Sequence, residues 1–150
     1  MKVKNLGKMY AKIAAMPAAV KEEIRKALAQ SAEEIVDLQK RFVPVDHGDL
    51  RESITWQYGD AKRIKHSQTI GAGDHELSVR ISAGNARVRY AHLVEFPTRA
   101  HIAGGKFKGA RHPGTKAQPF FYPGFRLGKK RAKSRIVRAT NRAVKRVASR

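Results

Sequence analysis

A chain of 150 residues and 16.7 kDa can close one ordinary apolar core but not two, so a single domain with basic extensions is expected. A hydrophobic content of 41% with mean hydropathy −0.53 suits a folded globular chain. No apolar run approaches the length that spans a bilayer or follows Met1-Lys2-Val3-Lys4 as a leader would, which implies a protein made and kept in the cytoplasm, with no membrane partner. The absence of cysteine excludes disulfides, thiolate nucleophiles and nearly all structural zinc sites, leaving stability to packing and subunit association.

The formal charge of +20 is unevenly placed. Glu95 is the last acidic residue; from residue 96 onward the sixteen basic residues give +16, so residues 1–95 carry only +4. Such a field attracts nucleic acid, anionic lipid or an acidic protein surface, and composition does not choose among them.

Along the chain, Leu6, Met9, Tyr10, Ile13 and Met16 recur at spacings of three and four before Pro17, predicting a short amphipathic helix. From Ala18 to Phe42 the stripe Val20, Ile24, Ala27, Leu28, Ser31, Ile35, Leu38 and Phe42 predicts a long helix. Glu22 and Glu23 are expected in its first turn and Lys40 and Arg41 in its last, both favourable to the helix dipole. Val43-Pro44 ends it, because the residue before proline avoids the helical region. Alternation then predicts strands at Ser53 to Tyr58 and around Leu77, Val79 and Ile81, with Arg80 and Ser82 on the polar face. The stretch 60–74 is either a loop or holds a further strand near Thr69-Ile70, and Val88 to Phe96 fits either a strand or a short helix, a helical turn at Tyr90 to Glu95 being the better fit.

Residues 97–119, rich in glycine, proline and basic side chains, read as a long arm. Gln118-Pro119-Phe120-Phe121-Tyr122-Pro123 is an aromatic anchor, for the core or for a subunit interface. Gly124 to Arg150 reads as a basic helix with Ile136, Ala139, Ala143, Val144 and Val147 as its apolar face. The result is an α+β fold: an antiparallel sheet packed against a long amphipathic helix and a basic C-terminal helix, with a glycine-rich arm. Its units are 1–17, a core 18–127 that includes the arm, and 128–150.

No catalytic constellation emerges. The six histidines (His47, His66, His75, His92, His101, His112) form no ligand pair at helical spacing, and surface or loop positions explain them more simply than a metal. Asp46 and Asp49 in Val45-Asp46-His47-Gly48-Asp49-Leu50 suit a helix cap better than paired acid-base carboxylates. Phosphate loops, nucleophile elbows and dinucleotide fingerprints are absent from the sequence, so neither an enzyme nor a cofactor is indicated. The last helix could contact phosphates with little sequence selectivity, which makes a nucleic-acid-binding protein the rival reading.

Three separated segments carry a resemblance: Val43-Pro44-Val45-Asp46-His47-Gly48-Asp49-Leu50-Arg51-Glu52-Ser53-Ile54; Tyr90-Ala91-His92-Leu93-Val94-Glu95-Phe96-Pro97-Thr98; and His112-Pro113-Gly114-Thr115-Lys116-Ala117-Gln118-Pro119-Phe120-Phe121-Tyr122-Pro123. In order and spacing they resemble the HK97 gp10-like family of phage neck and tail-completion proteins, over about residues 18–127. The chain departs from that pattern at His47, where threonine is usual, at Pro97, where glycine is usual, and at Gly124, where alanine is common.

The resemblance implies a structural virion subunit at the head–tail junction that joins or finishes the tail. Its expected partners are copies of itself in a closed ring, a hexamer, other connector or tail proteins, and DNA in the channel. Tyr90, Leu93, Phe96, Phe120, Phe121 and Tyr122 are the expected subunit interface. Lys129, Lys130, Arg131, Arg135, Arg138, Arg142, Lys145 and Arg146 are expected to face DNA or an acidic surface.

Overall fold

The computed structural model describes residues 17–71 and 73–149, together with Gly7 and Ala11. The helix expected over 6–16 otherwise lies outside the described residues. Helix α1 spans Ala18–Phe42, between Pro17 and the extended Val43. Because it starts at Ala18, Glu22 and Glu23 fall in its second turn and not, as expected, in the first; Lys40 and Arg41 do lie in the last. The buried face runs Val20, Ile24, Ala27, Leu28, Ser31, Ala32, Ile35, Val36 and Gln39, and then continues to Val43. The expected stripe followed the apolar types at Leu38 and Phe42, but steps of four from Ile35 point Gln39 and Val43 inward, and Phe42 is 46% exposed.

Helix α2 is a single turn, Asp49–Glu52. Its N-cap is Gly48, in the left-handed region at φ 91°, and no side chain caps it. The capping role expected for Asp46 or Asp49 is therefore not realised; the Asp46 carboxylate instead lies 3.0 Å from His47 Nδ1.

Strands β1 (Thr55–Tyr58), β2 (Gln68–Ile70) and β3 (Val79–Ala83) form an antiparallel sheet in the order β1-β3-β2, with Trp56 and Ile70 both opposite Ile81. The polar face expected for β3 is covered, because the 60–74 segment folds over it. Arg80, only 2% exposed, donates to Asp74 Oδ1 at 2.7 Å and to the Ala61 carbonyl, while Ser82 Oγ sits 3.2 Å from Thr69 Oγ1.

Helix α3 (Ala91–Glu95) follows, and then the arm. The arm is a small hairpin of β4 (His101–Ile102) and β5 (Arg111–His112), turned at a 3₁₀ segment Gly105–Phe107 and closed at its base by a bridge between Thr98 and Thr115. His101 and His112 stack across it, ring centroids 4.9 Å apart.

Helix α4 runs Phe121–Ala148, starting three residues before the expected Gly124. Pro123 is accepted there because the first-turn N–H groups have no partner inside the helix. α4 lies antiparallel to α1: Gln39 Nε2 donates to the Phe121 carbonyl (2.8 Å), Arg135 meets Glu34, and Arg146 meets Glu23. The contact is made by small residues. Ala132, Ala139 and Ala143 are buried, whereas Val144, expected on the apolar face, is half exposed.

The crossing is tightest at two glycines one turn apart. A Cβ on Gly124 would lie 2.6 Å from Gln39 Cγ and 3.0 Å from the Gln39 backbone, and one on Gly128 would lie 2.5 Å from Ile35 Cγ1. The main core gathers Val36, Ile54, Ile81, Phe120 and Phe121, and a second cluster of Val20, Ile24, Leu28 and Ala143 closes the far end. Gly124→Ala should therefore destabilise the fold by about 1–3 kcal/mol in urea denaturation, although alanine favours an unhindered helix by about 1 kcal/mol.

Candidate functional site

Helix α4 begins without a cap of its own: Phe120 stands at the N-cap position and offers no acceptor. The acceptor comes from α3. Glu95 Oε2 accepts the N–H groups of Phe120 (2.8 Å) and Phe121 (2.9 Å), and Oε1 accepts that of Tyr122 (3.1 Å). Its side chain is only 3% exposed. A carboxylate at a helix N-terminus meets both free donors and the positive end of the dipole, which makes burying its charge tolerable. The Gln118 N–H adds a bond to the Val94 carbonyl at 2.8 Å.

This joint brings the second and third sequence segments together. The second supplies Glu95 and the third receives it, and they pair again at Thr98–Thr115. The first meets the second across a cleft of about 310 Å³ lined by Pro44, Val45, Tyr90 and Val94.

Of the expected interface residues, Phe120 and Phe121, whose aromatic anchor suited either the core or a subunit contact, are fully buried inside the chain's own core, their N–H groups pinned by Glu95. Tyr90, Leu93 and Phe96 are between 43% and 50% exposed on the outer side of α3, and the Phe96 ring lies 6.0 Å from that of half-buried Tyr122. Phe42 and Val45 are exposed as well. The patch is thus apolar surface on a short, doubly tied element. Sequence reasoning missed Glu95 as a structural residue. The available signal was a helix start with no Ser, Thr, Asp or Asn before it.

The basic residues of α4 divide into two groups. Arg135 bonds Glu34 at 2.5 Å and Ser31 Oγ at 3.3 Å, Arg131 lies 3.5 Å from Glu34, and Arg146 lies 2.9 Å from Glu23. These three hold α1. Lys129 sits 5.8 Å from the centre of the Phe125 ring. Lys130, Arg138, Arg142 and Lys145 have no carboxylate partner among the described residues, and the last three line a groove of about 540 Å³ with Gln30 and Asn141. Among the described residues no group of three or more His, Asp or Glu could hold a metal ion, and no helix is long and apolar enough to cross a membrane.

Glu95→Gln turns an amide N–H₂ toward helix N–H donors and removes the charge. It should cost about 1–3 kcal/mol in urea denaturation, with the exposed Glu52→Gln near neutral as the control. A second outcome concerns acid. The Arg135 hydrogen bond, against the opposing effect of burial and with added attraction from Arg135 and Arg131, holds the Glu34 carboxyl below the ordinary carboxylate range. A lowered folded pKa contributes stability that is complete above the unfolded value and lost as pH falls through the folded one. Thermal melts of wild type and Glu34→Gln should therefore differ near neutrality and converge as pH drops below the ordinary carboxylate range.

No curated protein and no solved structure matches the chain. The HK97-gp10_like family model, described as "Bacteriophage HK97-gp10, putative tail-component", matches residues 7–96, well over half the sequence and ending one residue after the buried cap Glu95. With its long helix, small antiparallel sheet and α3, the chain belongs to the HK97-gp10-like family of phage tail components.

Proposed function

We propose that this chain is a non-enzymatic structural subunit of a tailed-phage particle that joins or finishes the tail at the neck, working through contacts with other virion proteins and with copies of itself in a closed, hexameric ring. Family membership supplies the phage tail class. The observation that carries the finer reading is the exposed apolar patch of Tyr90, Leu93 and Phe96, fixed in place by the Glu95 tie, because an assembly subunit needs a rigid apolar surface that can be buried without reordering. A ring requires two complementary surfaces on each subunit; the basic arm, with Ile102 and Phe107 exposed, is the natural second one.

A second reading, non-sequence-specific nucleic-acid binding, is favoured by Arg138, Arg142 and Lys145. They stand along one groove of α4 free of carboxylates among the described residues. In a neck subunit this surface would face DNA in the channel or an acidic neighbouring ring. Binding to duplex DNA that falls steeply with salt and is lost in Arg138→Gln/Arg142→Gln would favour DNA.

The experiment that tests the main proposal is electron microscopy of particles made by a phage lacking this gene, complemented with wild type or with Leu93→Asp/Phe96→Asp. Without the gene, filled heads beside unattached or unfinished tails are expected. The double variant, altered only at exposed positions, should fold and still fail to rescue. Intact particles without the gene would overturn the neck assignment, and full rescue by the variant would overturn the role of the patch.

A further inference from the structure

α1 lies on β3 and β1, and α4 lies against α1. On its far side the sheet stops at β2, whose outer edge has no partner strand among the described residues. Beside that edge a cavity of about 340 Å³ opens between sheet and helices, with Ile70 on one wall and Phe125 and Ile136 on another. The exposed Lys129 and Lys133 also line it. An unpaired strand edge is a template for pairing, and an apolar slot next to it can take the alternate side chains of whatever pairs there.

A second observation points the same way. Both side-chain amide atoms of Gln68, the first residue of β2, are buried without a hydrogen-bond partner. A buried amide left without partners is destabilising. Gln68 shares a strand face with Ile70 and borders the next cleft along, which is also lined by Arg89. A strand added along β2 that drew this side chain outward would offer its amide a donor and an acceptor.

We infer that this groove receives an extended segment of another protein as a fourth strand on β2, with aliphatic residues entering the cavity and carboxylates meeting Lys129, Lys133 and Arg89. Charge identifies the occupant as a different chain. None of these three cations has a carboxylate partner among the described residues. Neither residues 1–16 nor anything after Glu95 contains an acidic residue, so this chain's own leading segment and a second copy's arm would both bring positive charge to a positive rim. Strand addition gives affinity through main-chain bonds and selectivity through the alternate pockets.

The test uses the full chain and two synthetic probes, a short capped peptide of alternating valine and glutamate and its valine–lysine counterpart. Calorimetry should detect binding of the glutamate peptide and none of the lysine peptide, and hydrogen exchange should slow at residues 68–71. Lys129→Glu/Lys133→Glu, altered only at exposed positions, should weaken binding about tenfold or more. Failure of the glutamate peptide to bind, equal binding of both peptides, or binding without protection at 68–71 would each overturn the proposal. So would faster exchange at 68–71 after deletion of residues 1–16, which would show that the chain fills its own groove.

Discussion

The buried carboxylate of Glu95 is the interaction on which the rest of the molecule depends. It reaches from a helix of five residues to the start of one of twenty-eight, and through three N–H groups fixes where that long helix begins and in which direction it points. Phe120 and Phe121 then have nowhere to go but the core, and Leu93 and Phe96 nowhere but the surface. One polar joint therefore separates the aromatic residues that hold the fold from those available to a neighbour. Neutral capping by a local serine or asparagine would hold the helix start but would not bind α3 to it.

The second constraint is closeness. Gly124 and Gly128 let α4 approach α1 until alanines fill the seam, and the resulting proximity places Arg131, Arg135 and Arg146 over the carboxylates of α1. Part of the positive charge is thereby spent inside the molecule. What remains for outside partners is narrower than composition suggests: the row Arg138, Arg142 and Lys145, the rim cations Lys129, Lys133 and Arg89, Lys130, and the cations of the arm.

Periodicity made the long helix legible, and with it the two main strands, the turn at Tyr90 to Glu95 and the α+β class, because each depends on patterns a few residues long. What failed depended on neighbours distant in sequence. Arg80 and Ser82 looked solvent-facing until the 60–74 segment covered them, and Gln39, absent from the expected stripe, is buried with its amide donating to the Phe121 carbonyl. The first motif segment and most of the second fall within the family match, which ends before the third, and nothing in their spacing said that Glu95 joins the second to the third. Phe120 and Phe121 were read as core or interface from type alone. Only the direction of the helix start decides between the two.

The Glu95 tie also closes a loop. Twenty-five positions separate the carboxylate from the first N–H it holds, and the whole arm lies between them. Closing such a loop costs free energy that rises only with the logarithm of its length, about 0.6 kcal/mol for each doubling. The arm can therefore grow, shrink or change sequence while the joint beneath it stays shut. Descent can retailor what this protein touches with the arm without renegotiating how it folds.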